Sequence, residues 1–120
     1  MTTLLVGIAG ALGAVARYRI GTAIGLRSFP WATLLVNVVG CFLLALVLAG
    51  PAGTRWSDAT TAAVAVGFLG AFTTFSTFGW ETFTLLRADD VARAATYVGL
   101  SLAGGLAATA LGWAAGRALS

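Results

Sequence analysis

The chain has 120 residues, of which 59% are hydrophobic and only 9% charged, with a mean hydropathy of +0.95. A soluble domain of this size needs a polar surface that this composition cannot supply, so the chain reads as an integral membrane protein. Seven arginines, no lysines and four acids leave a charge of +3, too small and dispersed for a nucleic-acid binder. The lack of histidine and a single cysteine, Cys41, exclude a disulfide framework, a His/Cys metal site and a Cys/His nucleophile within one chain.

Four apolar runs, at about 3–25, 31–49, 59–86 and 91–119, are each long enough to cross a hydrocarbon core of about 30 Å as a helix. Backbone groups in lipid must be satisfied internally, so these runs are expected to form one domain of four transmembrane helices. In the first, Ala14-Val15-Ala16 resembles a signal-peptide cleavage site. No basic residue precedes the apolar stretch, however, and three further spans follow, which favours a span. Arg17 lies near its end, where it either draws anions to a vestibule or snorkels to the headgroups. Gly21 and Gly25 make a GxxxG pair suited to close helix packing.

Pro30 opens the second run, and Gly50-Pro51-Ala52-Gly53 closes it. Asn37 stands at its middle. A primary amide there needs partners; it offers donors suited to an anion, or it bonds a neighbouring helix as glue. Cys41 reads as a small packing residue.

The third run begins after the candidate caps Ser57 and Asp58. It contains Gly70-Ala71-Phe72-Thr73-Thr74-Phe75-Ser76-Thr77-Phe78-Gly79, with four hydroxyls and a phenylalanine at every third position. Hydroxyls compete with helical hydrogen bonds, so this cluster predicts a break in mid-span, where freed carbonyls can coordinate a cation. Phe75 and Phe78 can project into one region from a distorted helix. Their positive ring edges, with the hydroxyls of Ser76 and Thr77, are weak donors able to replace water around a small anion. Aromatic packing is the plainer reading of any single ring. Ala63, Gly67 and Ala71 form a small-residue row.

Asp89 or Asp90 caps the fourth run. There Gly104, Ala108, Gly112 and Gly116 make one small stripe, and Tyr97, Ser101, Gly105 and Thr109 a second, partly polar one. The second stripe is either a track along a pore or a set of hydroxyls bonded back to their own helix. No acid pair, base or nucleophile constellation can be assembled, so an enzyme is not expected.

With the N-terminus inside, Arg55 and Arg117 lie on one side, and Arg27, Arg87 and Arg93 on the other, with Arg17 and Arg19 near the membrane edge. So weak a bias permits insertion in both orientations. Four helices hardly enclose a pore alone and no internal repeat is visible, which points to an antiparallel homodimer of dual topology.

Three stretches resemble the Fluc (CrcB) family of small fluoride channels. Gly10-Ala11-Leu12-Gly13-Ala14-Val15-Ala16-Arg17-Tyr18 is similar to its GxxGAxxRY. Thr33-Leu34-Leu35-Val36-Asn37-Val38-Val39-Gly40-Cys41-Phe42 is similar to its TLxVNxxGxF. Gly67-Phe68-Leu69-Gly70-Ala71-Phe72-Thr73-Thr74-Phe75-Ser76-Thr77-Phe78 is similar to its GFxGxxTTFSTF, the most specific of the three. Ala9, Ala32 and Ala71 stand where glycine is common in the family. The resemblance implies an all-α, dual-topology antiparallel dimer in the cell inner membrane that exports fluoride passively through two pathways. It further implies that Asn37, Phe75 and Phe78 face fluoride, that Ser76 and Thr77 place hydroxyls at the helix break, and that Glu81 and Tyr97 lie along or near the path, with Arg17 near a vestibule. The carbonyls of Gly70 and Thr73 from both subunits would hold a structural Na⁺. An exporter resembling the small multidrug resistance family is the alternative. Such a protein needs a membrane-embedded carboxylate; the first span has none, and Glu81 lies towards a helix end.

Overall fold

A computed structural model describes residues 1–120. It is all helical, with four segments long and apolar enough to cross a membrane: Thr2–Ile24, Trp31–Thr54, Asp58–Arg87 and Val91–Leu119. The chain is a multi-pass integral membrane protein. Large apolar side chains such as Leu4, Ile8, Leu12, Leu106 and Leu111 point outward, as lipid permits and water does not.

The connections are tight and use the local chemistry of their residues. Gly25 ends the first span at φ 73°, a left-handed conformation that glycine adopts without strain. Pro51 starts a single helical turn, Pro51–Thr54, that completes the second span. Of the candidate caps, Ser57 holds the amide of Thr60 at 3.2 Å. Asp90 holds the amide of Arg93 at 3.3 Å and pairs with its guanidinium at 2.8 Å.

Close approaches show how the spans run. The first packs along the leading half of the third, residues 58–72, in the same direction. A Cβ on Gly67 would lie 2.7 Å from the Val6 carbonyl, and one on Gly13 would collide with the Phe68 carbonyl. The second and fourth spans are likewise parallel to each other, with Gly105 on Cys41, Gly112 on Phe42 and Gly116 on Leu46. The topology is therefore up-down-up-down. Ala108, Gly112 and Gly116 of the small stripe are buried in the second interface, together with Gly105 from the polar stripe. Small residues bring the backbones together where lipid provides no hydrophobic drive. Gly21 and Gly25 meet nothing within the chain.

The third span is the irregular one. After one α-turn, Asp58–Thr61, residues Ala62–Leu69 form a π-helix, and Gly70–Phe72 complete the leading half. Thr73 (ψ 162°) and Thr74 (φ −152°, ψ 123°) are extended, and helix resumes over Phe75–Arg87. The tryptophans fall towards the two ends of the bundle, Trp31 and Trp80 beside one connection and Trp56 and Trp113 towards the other, the pattern of an interfacial aromatic belt.

Candidate functional site

The site is built on the two extended residues of the third span, because they release backbone groups that a continuous helix would use. The amide of Thr74, which a helix would aim at the Gly70 carbonyl, donates instead to Oδ1 of Asn37 at 2.8 Å. Nδ2 of Asn37 donates to the Thr74 carbonyl at 3.0 Å. One side-chain amide thus brackets Thr74 from both sides, as a neighbouring β-strand would. The Thr73 carbonyl accepts no hydrogen bond from the chain. The Ala71 carbonyl, freed at the end of the leading half, accepts from Nε of Arg17 at 3.1 Å. A cation at a helix C-terminus also offsets the helix dipole.

Hydroxyls secure the two flanks. Thr73 Oγ1 donates to the Leu69 carbonyl at 2.9 Å, and its methyl group lies against Gly40. Thr74 Oγ1 caps the trailing half by accepting from the Thr77 amide at 3.2 Å. It also donates to Thr77 Oγ1 at 3.1 Å and lies 3.4 Å from Ser76 Oγ. The hydroxyl cluster is therefore the N-cap of the second helix half.

On one side of the interruption is an open cavity of about 330 Å³. Asn37, Gly70, Thr73, Phe75, Phe78 and Ser101 line it together with Cys41 and Leu44. Phe75 is 84% exposed and its ring centroid is 5.9 Å from that of Phe78. Ser101 Oγ is buried and has no hydrogen-bond partner in the chain. On the other side, a groove of about 590 Å³ is lined by Arg17, Thr33, Thr74, Thr77 and Glu81. Thr74 borders both spaces.

Tyr97 lines neither space. It is fully buried and its ring meets those of Phe78, at 5.1 Å, and Phe29, at 5.6 Å. Its hydroxyl donates to Oε1 of Glu81 at 3.2 Å. Thr109, lower on the polar stripe, is exposed and donates to its own Gly105 carbonyl at 2.8 Å, so at that position the hydroxyl serves its own helix. Ser76 is exposed beside Thr74. Thr74 and the Ala71 carbonyl are central to the site, and residue type alone did not single them out. A hydroxyl three residues ahead of Thr77 is an N-cap spacing, and that was the available signal for Thr74. No signal marks a carbonyl.

The family model for CrcB-like proteins, described as camphor resistance (CrcB), matches residues 4–113. A "fluoride-specific ion channel FluC 2" of Rhodococcus jostii is 46% identical over 114 residues, covering 94% of this chain and 96% of its own. The FluC of Bordetella petrii is 46% identical, covering 97% of this chain and 91% of its own. That of Geobacter sulfurreducens is 44% identical, covering 99% and 100%. All three are named as ion channels, a class without catalysis. A match of this length and identity, spanning all three motifs around the interrupted helix, means that the chain belongs to the CrcB family.

Proposed function

We propose that the protein is a fluoride channel of the inner (plasma) membrane, working as an antiparallel, dual-topology homodimer. Fluoride leaves the cytoplasm through it down its own gradient, which lowers a toxic load. The observation that carries this reading is the cavity at the interrupted third span, which Asn37, Phe75, Phe78 and Ser101 line together. The relatives' printed names supply the identity of the ion.

Fluoride is small and holds water tightly, so a pore must replace part of its shell at each step. The groove at Arg17, which Thr77 also lines, offers a fixed positive charge to draw the anion in. Beyond Thr74, the second hydrogen of Asn37 Nδ2 is not used by the Thr74 carbonyl. It is a donor for the anion. The rims of Phe75 and Phe78 present positive edges, which suit an ion too weakly held to be trapped. Tyr97 packs on Phe78 and engages one oxygen of Glu81, whose carboxylate borders the groove together with Arg17.

A second copy is part of the reading because a single chain leaves Phe75 and Gly70 uncovered. A structural Na⁺ at the dimer centre also fits the residues present. The Thr73 carbonyl is without a hydrogen bond and the Gly70 carbonyl has lost the Thr74 amide. Neutral carbonyl oxygens suit a hard cation, and a two-fold axis would double the two that one chain offers. Bound there, the ion supplies positive charge between two anion paths. A multidrug-type exporter finds no support: its carboxylate would have to exchange protons, and Glu81 is engaged by Tyr97 at a span's end.

The test is fluoride efflux from liposomes carrying the purified protein, followed with an ion-selective electrode. Rapid efflux of fluoride but not chloride is expected. Protein that is folded and inserted, yet leaves liposomes as tight as empty ones, overturns the reading.

A further inference from the structure

We propose that Asn37 is a positioning residue for the Thr73 carbonyl, holding it ready for a hard monovalent cation in addition to whatever it offers an anion. The inference rests on the reading above that main-chain oxygens at the interruption hold Na⁺.

The Thr73 carbonyl and the Thr74 amide belong to one planar peptide unit. Its N–H donates to Asn37 Oδ1 at 2.8 Å, while its oxygen accepts nothing. Rotation about Thr73 ψ and Thr74 φ is the motion that would re-aim this oxygen. The bond to Oδ1 resists that rotation from one end. The bond from Nδ2 to the Thr74 carbonyl, 3.0 Å, resists it from the next peptide unit. Thr73 itself is pinned by its hydroxyl on the Leu69 carbonyl and its methyl on Gly40. A hydrogen bond at the N–H also polarises the peptide and leaves its oxygen more negative. Asn37 therefore both aims and charges the oxygen. Its amide thus couples the anion path to the cation position, whose residues line the same cavity.

Substitutions separate this role from anion binding. Asn37→Ala removes both bonds. Asn37→Asp keeps an acceptor for the Thr74 amide but places a negative charge on the path. The readouts are thermal dissociation of the purified dimer across a sodium titration, with a large organic cation as replacement, and retention of radioactive sodium after desalting. Asn37→Ala should raise the sodium midpoint about tenfold, the equivalent of one or two net hydrogen bonds. Asn37→Asp should keep a midpoint at or below that of the wild type while losing fluoride flux. If Asn37→Ala gives no dimer, Asn37→Ser, too short for either bond, takes its place. A wild-type midpoint in the Ala or Ser variant overturns the proposal and leaves the channel reading intact, as does an Asp variant as weak as the Ala one. A wild-type protein with neither sodium-dependent stability nor retained sodium overturns the cation reading itself, and this inference with it.

Discussion

One added methyl group at two glycines of the fourth span should have opposite effects. At Gly112, a Cβ would collide with the Phe42 carbonyl, and it would lie 3.1 Å from Ala45 Cβ. Neither neighbour is a flexible chain end, so the helices themselves must separate. Opening that seam by 0.5–1 Å forfeits roughly a quarter to a half of the dispersion energy of the atoms that face across it. Overpacking of this kind costs about 1–3 kcal/mol. At Gly99, nothing lies within 4 Å of the added atom, so Gly99→Ala gains only helix propensity, about 1 kcal/mol. The two variants should therefore differ by roughly 2–4 kcal/mol in the packing of the chain. Thermal unfolding of the purified protein, followed by loss of its size-exclusion peak, reads the difference. Gly112→Ala should melt well below the wild type and Gly99→Ala at or above it. Because Ser101 rides on the same helix, Gly112→Ala should also slow fluoride efflux. Equal melting of the two variants would refute the claim that backbone contact at Gly112 holds the second and fourth spans together.

Phe75→Ile and Phe78→Ile should leave a folded dimer that passes fluoride far more slowly, because an aliphatic chain keeps bulk but loses the positive edge. Phe72→Ile, at a buried ring stacked on Phe68 at 5.8 Å, should instead lower stability and spare flux. Wild-type efflux from both pathway variants would move the anion route elsewhere. A cysteine introduced beside Arg55 in a Cys41→Ala background should be labelled on intact cells by an impermeant reagent in only part of the molecules; labelling of all or none refutes dual topology. Thr73→Val keeps the methyl on Gly40 and loses one hydrogen bond to its own helix. It should cost about 1 kcal/mol in melting and shift the sodium midpoint less than Asn37→Ala does, since the methyl still pins Thr73 and the proposed ligand is main chain. A midpoint shifted as far as in Asn37→Ala would mean that the hydroxyl itself binds the ion.

Composition alone determined that the chain lives in a membrane, because 59% apolar residues cannot be hidden inside so short a polypeptide. Run length and punctuation by Pro30, Ser57 and Asp90 marked the helices, since spans and caps depend on local chemistry. The hydroxyls of Thr73 to Thr77 signalled irregular backbone for the same local reason. What the neighbours of that backbone do was decided only by tertiary structure. Residue type left Asn37 open between anion donor and interhelical glue, and packing turned both of its amide atoms onto Thr74. Arg17 read as a vestibule charge or a snorkelling side chain; the parallel packing of the first span on the third brings it to the Ala71 carbonyl as well. Gly105 sits on the stripe that read as polar, yet it is buried against Cys41. Gly21 and Gly25, a regular GxxxG pair, face nothing in the chain. The π-helix of Ala62–Leu69 has no residue signature either. Hydrogen-bond partners far apart in sequence are chosen by which helix faces meet, and that choice is made by the whole bundle at once.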